Sequence, residues 1–372
     1  MGRIYLDYNA STPLDPLVAE TMRAAMQDGY GNPSSPHWAG TPAKQLVATG
    51  RTEIAELLGC TPEEVVFTSG GSEANNFALK GAFFAAGDRP VHIVTTQIEH
   101  PSILAPCRFI ERQGARITYL PVDHTGLVDP DDLRRAMSRD TVLVSIMHAN
   151  NETGTIEPIE ACARIAREHG VLFHTDAAQA VGKIATCVNE LGVDLLSIAG
   201  HKLYAPKGIG ALYVRAGTPL EPLIHGAGHE SGRRAGTESA LLASALGKAC
   251  ALAEDLSFVP SMQRLRDLFW DRLHDRFGDR VVLNGHPDRR LPNTLNVSFV
   301  GRVGAAILDA MPEVAASTGS ACHSGQVRLS PVLAAMGIAP EMGMGAIRFS
   351  LGRHTTQEEI ETAVEYLVRV LG

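Results

Sequence analysis

A lysine stands where an apolar run gives way to a turn. Lys202 lies in SIAGHKLYAPKG (197–208), between GVDLLSIAG (192–200), which reads as a buried strand, and GIGALYV (208–214), which reads as a second strand across the turn. An amine at the end of a core strand loses hydration, which disfavours its charged form and frees it to condense with a carbonyl. FHTDAAQAVGK (173–183) leaves Asp176 at the end of another apolar run, with Gln179 three residues on. A buried carboxylate needs a positive partner, and a protonated heterocyclic nitrogen is a suitable one. FTSGGSEANN (67–76) puts Gly70, Gly71 and Ser72 between a strand and a helix, where backbone N–H groups can cradle a phosphate. This turn is neither GxGxxG nor GxxxxGK[ST], which argues against dinucleotide and P-loop sites. IEHPS places His100 at a further strand end, and HANNETG places Asn150 and Asn151 at the next. Each feature alone has a plainer reading: a snorkelling lysine, an aspartate capping the following helix, a common Gly-rich turn. Together they compose a pyridoxal phosphate site, with an amine for the aldehyde, a carboxylate for the ring nitrogen, a histidine to stack on the ring and a helix start for the phosphate.

These residues need a scaffold that collects strand ends. Strands are expected at 64–68, 91–96, 115–120, 141–147 and 171–177, with helical spacing at 41–58, 73–86, 101–113, 130–138 and 157–168. Runs rich in Val, Ile and Leu alternating with helices predict an α/β fold with a mostly parallel sheet covered on both faces, and ligands in such folds bind beyond the carboxyl ends of the strands. The segments YLDYNASTPLDP (5–16) and GNPSSPHWAG (31–40) read as too polar and broken to be core. After Val214 a Gly-rich basic stretch, HGAGHESGRRAGTES (225–239), leads to helices at 240–256 and 260–277. A smaller α+β unit follows, with strands near 281–284 and 294–299, apolar runs around 314–317 and 346–351, and a closing helix at 356–371. The expected division is a large domain over 14–256 and a small one formed by 1–13 and 257–372.

At 372 residues, 45% hydrophobic and 20% charged, the composition is that of an ordinary globular protein. The net charge of −8 argues against non-specific binding to nucleic acid or acidic membrane. MGRIYLDYNA has no apolar signal region and no run is long enough to span a bilayer, so a cytoplasmic location is expected. The cysteines at 60, 107, 162, 187, 250 and 322 have no zinc-type spacing, and no metal is expected. Cys322 differs from the rest, because it lies in a run of small residues, STGSACHSG (317–325), that is hard to pack and leaves a thiol accessible.

The motifs YLDYNASTP, GNPSS, FTSGGSEANN, EHPS, SIMHANNETGT, FHTDAAQAVGK, GHKLYAPKGIGALYV, GRRAGTES, STGSACHSG and IRFSLGRHTT, in this order across essentially the whole chain, resemble the cysteine desulfurases of the NifS/IscS kind, class V aminotransferases of PLP fold-type I with the aspartate-aminotransferase-like architecture. The resemblance implies that Lys202 holds the cofactor, His100 stacks on its ring and moves protons, Asp176 partners the ring nitrogen and Gln179 donates to the ring hydroxyl. It implies phosphate contacts from Gly71, Ser72 and His201, and from Thr237 towards the neighbouring subunit of a homodimer. Arg348 would clamp the substrate carboxylate through the two-pronged geometry of a guanidinium. Asn32 and Asn151 would support that end, with Asn151 also near the cofactor. Cys322 would attack the sulfur of L-cysteine, release L-alanine and carry a persulfide to an acceptor protein serving iron–sulfur assembly, tRNA thiolation or DNA thiolation. Direct nucleic-acid binding is not expected.

The chain departs from that pattern in places. His323 follows Cys322, as in selenocysteine lyases, which makes selenocysteine lyase the alternative activity. Ser72 replaces a frequent Thr and keeps the hydroxyl, and Ala199 replaces a Ser found in some relatives. The chain ends at Gly372, just past the closing helix, so the tail by which housekeeping members dock an iron–sulfur scaffold is not expected to act here. A catalytically silent scaffold of the same fold is the reading from another class, and the presence of Lys202, Asp176, His100, Cys322 and Arg348 speaks against it.

Overall fold

The computed structural model describes residues 2–318 and 328–372. Cys322 and His323 lie outside the described residues. A seven-stranded sheet runs, in spatial order, Val65–Thr68, Gly210–Val214, Leu195–Ala199, Leu172–Asp176, Thr141–Ser145, His92–Thr96 and Arg116–Leu120. Gly210–Val214 is antiparallel to both its neighbours, and the other pairings are parallel. All strands but Arg116–Leu120 and Leu172–Asp176 are buried along their whole length. Such strands carry apolar side chains towards both faces, which is why they read as Val/Ile/Leu runs rather than as alternations. One core lies between the sheet and helices such as Gly40–Leu58 and Ala240–Ala253, and a second under Gly71–Ala85 and Pro101–Glu111.

A three-stranded antiparallel sheet, with Thr294–Phe299 between Val281–Asn284 and Ala346–Ser350, packs on Val259–Phe277 and Gln357–Leu371 around its own core. Ile4 and Leu6 belong to that core, and Ile4–Tyr5 pairs in parallel with Val314–Ala315.

Two sequence expectations change. Residues 5–16 are not excluded from the interior, since Leu6, Tyr8, Asn9 and Thr12 are all buried. The segment's polar groups find partners there: the Thr12 amide donates to the His201 carbonyl at 2.9 Å and the Asn9 amide to Ser350 Oγ at 2.9 Å. A helix also occupies Pro16–Asp28, where none was assigned, and it begins with Asp15 accepting from the Leu17 amide at 2.9 Å and Pro16 in its first turn. That is a regular helix start whose signal was hidden by the turn-rich residues before it.

Candidate active site

The parallel strands end on one side of the large sheet, and a cavity of about 600 Å³ opens beyond them. Its first wall is the start of helix Gly71–Ala85. The Ala74 amide donates to the Gly70 carbonyl at 3.1 Å, so the amides of the preceding residues stand at the positive end of the helix. Gly70 has φ of +148°, and a Cβ added there would meet nothing within 4 Å. The space ahead of the helix is therefore open to an anion. Gly210 is required for a different reason, because a Cβ on it would come within 2.7 Å of Gly70 Cα and push the turn away from the sheet. Glu73 leaves the space free. Its carboxylate turns back to the Ser69 amide at 2.8 Å and pairs with Arg234 at 2.9 Å. His201 borders the same wall, and burial, together with Lys202, Lys207 and His100, pushes its imidazole down to about 4.

The second wall holds Lys202, Asp176 and His100. Lys202 follows strand Leu195–Ala199 in a single 3₁₀ turn, and its Nζ donates to the carbonyls of Asn9 at 2.6 Å and Ala10 at 2.8 Å. Burial pushes its amine down to about 8; Arg348 adds to the effect, while Asp7 and Asp176 oppose it. Far more of the amine is then free base near neutral pH than for an exposed lysine, as nucleophilic attack on a carbonyl requires. Asp176 ends its strand with one oxygen accepting from the Ala178 amide at 3.0 Å and the other from Asn75 Nδ2 at 2.7 Å. Turns over 178–183 follow and no helix begins before Val188, so Asp176 is not a helix cap.

Asn75 extends this wall in a way the sequence did not reveal. Its Nδ2 also donates to Ser102 Oγ at 2.8 Å, and Ser102 Oγ lies 2.7 Å from His100 Nδ1. The Ser102 amide donates to the same Nδ1 at 3.1 Å, so Nδ1 offers its lone pair and the proton of the neutral ring sits on Nε2. Asp176 and His100 are thereby joined through Asn75 and Ser102. The His100 ring borders the open cavity, yet protein on most sides lowers its pKa; Lys202 lowers it further and Asp176 opposes. Asn75 was present in a quoted motif, but nothing in its spacing announced a contact with a strand end a hundred residues away.

The third wall comes from the small sheet. Arg348, on strand Ala346–Ser350, is buried and donates to the Asn151 carbonyl at 2.9 Å and to Asp7 Oδ1 at 2.7 Å. Its Nε has no partner among the described residues. The guanidinium borders the cavity, where its positive charge would face an entering carboxylate. Asp7 was another omission of the sequence reading. Asn9 fastens this wall, with Nδ2 donating to Thr294 Oγ1 at 2.9 Å and to the Asn151 carbonyl at 3.3 Å.

Of the residues named from sequence, Gly71, Ser72, His100, Asn151, Asp176, Gln179, His201, Lys202 and Arg348 border the one cavity. Asn32 does not. It is exposed, and its side chain accepts from the Ser34 amide at 2.9 Å. Thr237 is exposed too and lines a neighbouring recess of about 100 Å³, which shares Ser69, Gly208 and Ile209 with the main cavity.

A profile of the class-V aminotransferases matches residues 4–363. The chain is 47% identical to the cysteine desulfurase IscS of Dictyoglomus turgidum, over 99% of this chain and 94% of that protein. Among solved structures, a NifS-like protein superposes with a TM-score of 0.93 at 35% identity, covering 99% of each chain. SspA in complex with cysteine superposes with a TM-score of 0.85 at 36% identity, over 95% of this chain and all of that one. The chain belongs to the class-V aminotransferase family, and within it to the cysteine desulfurases of the NifS/IscS kind.

Proposed function

We propose that this enzyme converts L-cysteine to L-alanine with pyridoxal phosphate held on Lys202, takes the sulfur as a persulfide on Cys322 and passes it to an acceptor protein. The observation that carries the reading is the meeting, round one cavity, of Lys202, Asp176 and His100 from strand ends of the large sheet with Arg348 from the small sheet. The residues fit the cofactor: an open helix start for the phosphate, a buried carboxylate for a protonated ring nitrogen and an amine of lowered basicity for the aldehyde. When bound, pyridoxal phosphate supplies a carbonyl carbon for amines and an electron sink for bonds broken at the substrate's Cα.

Arg348 orients the substrate by its carboxylate. Lys202, whose amine stands at the cavity wall, would hold the cofactor and would take the substrate's Cα proton. His100, with its Nε2 proton facing the cavity, returns a proton to the carbon skeleton as the sulfur leaves. The Cys322 thiolate attacks the substrate sulfur; an S–S bond forms as the Cβ–S bond breaks, and the electron pair of that bond leaves with carbon and is protonated to give alanine. A thiol on the acceptor then takes the outer sulfur. The likeness to SspA, solved with cysteine, supports the substrate.

The proposal includes a homodimer in which Thr237 faces the partner's phosphate, and a large unit of 14–256 beside a small unit of 1–13 and 257–372; the separate cores support the division. It also includes a cytoplasmic location; among the described residues no helix is long and apolar enough to cross a membrane. The test is alanine formation from cysteine and from selenocysteine in three proteins. Lys202→Ala loses the visible absorption of bound cofactor and all turnover. Cys322→Ala keeps the absorption and loses cysteine turnover. Wild-type activity confined to selenocysteine would overturn the assignment.

A further inference from the structure

Lys183 has no part in the chemistry above, yet it is buried beside it. It lies four residues after Gln179, in the turns that follow Asp176, and only 7% of it is exposed. Its Nζ donates to the Gln179 carbonyl at 2.9 Å and to Gln179 Oε1 at 3.2 Å, so one amine grips both the main chain and the side chain of the same residue. The charged groups that bear on it are Lys202, Arg348 and Arg353, all cationic. A buried lysine among cations is costly to keep, and a methionine of similar volume would fill the place at less cost.

The return on that cost is orientation. A primary amide presents an oxygen on one side and an NH₂ group on the other, and packing alone hardly distinguishes them. Burial and those cations push the Lys183 amine down to about 7, yet its N–H groups go both to the Gln179 carbonyl, which can only accept, and to Oε1, so Oε1 faces Lys183 and the NH₂ group faces the other way. There Nε2 donates to the Asn9 carbonyl at 3.0 Å, the same oxygen that accepts from Lys202 at 2.6 Å. We propose that Lys183 is a positioning residue, which locks the amide of Gln179 with its NH₂ group towards the cofactor beside Lys202 and acts on the cofactor only through Gln179. This rests on the pyridoxal phosphate reading of the cavity. An anionic ring oxygen bound next to Lys202 would find a donor already aimed at it, whereas a flipped amide would present a repelling oxygen.

The experiment titrates cofactor-free protein with pyridoxal phosphate and follows the pH midpoint of the visible band, with thermal melting as a check on the fold. Lys183→Met raises the dissociation constant roughly 3–10-fold, the scale of one misdirected hydrogen bond, and moves the band midpoint in the same direction as Gln179→Ala. The double variant matches Gln179→Ala alone, because the two residues act in series. Lys183→Arg, which keeps the donors, retains the wild-type midpoint. Effects that multiply in the double variant, a Lys183→Met protein indistinguishable from wild type, or an Arg variant shifted as far as Met would each overturn the inference. Wild-type protein that takes up no pyridoxal phosphate would instead remove the cofactor reading beneath it.

Discussion

The two ends of the cavity are built differently. The end holding Lys202, Asp176, His100 and the Gly70–Ser72 turn is made from successive strand ends of one sheet. The end holding Arg348 joins pieces that are remote in the chain, since Asp7 and Arg348 are 341 residues apart. The first end is set by strands of a single sheet, with Lys202 also held by the Asn9 and Ala10 carbonyls; the second is set by Arg348, which reaches Asp7 on one side and the Asn151 carbonyl on the other. On the proposed function, substrate recognition at Arg348 can be altered while the electrostatics at Asp176 are kept, because strands of different sheets carry them.

Asp176→Asn should give the largest separation. It keeps the shape and removes the charge, so kcat should fall on the order of 10²-fold or more, the scale of losing one preorganised electrostatic partner, while KM for cysteine changes little. Steady-state kinetics with the absorption spectrum check this, and an unchanged kcat would remove Asp176 from the ring-nitrogen role. Arg348→Lys acts at the other end. A lysine keeps charge but loses two-pronged geometry and the bond to Asp7, so kcat/KM should drop about 10²-fold, mostly through KM, with the spectrum of bound cofactor intact. If the spectrum moved as much as KM, the two ends would not be independent. Asn75→Ala should have the smallest effect. Removing its bond to the Asp176 carboxylate should cost about 1.5 kcal/mol, roughly tenfold in kcat, with a shift in the pH profile because His100 loses the chain of contacts that fixes its tautomer. A pH profile identical to wild type would confine Asn75 to packing.

The same contrast explains what could be read from the sequence. Strand ends advertise themselves, because a fully buried strand is a run of Val, Ile and Leu and the first polar residue after it has reached the rim. Lys202, Asp176 and His100 stand at or just past such boundaries. Asp7 and Asn75 sit in stretches whose local chemistry is unremarked, and their importance comes from partners that no periodicity connects to them. Resemblance rather than periodicity placed Arg348. The burial of residues 5–12 was misjudged for the same reason: a polar segment is affordable inside only when distant carbonyls and hydroxyls receive it. Cys322, to which the proposed function assigns the sulfur, lies outside the described residues.

The placing of the first residues against the last has a consequence for biosynthesis. Ile4 pairs with Val314, the Ser350 amide donates to the Leu6 carbonyl at 2.7 Å, and the Asn9 carbonyl receives the amine of Lys202. A nascent chain on the ribosome has made its amino-terminal segment long before the strand that receives it exists, and contacts of such separation form late. The carbonyl that receives Lys202 and Gln179 belongs to the same segment as Asp7, and that segment is seated by Val314 and Ser350. Both ends of the cavity therefore wait for the last strands of the chain to be made.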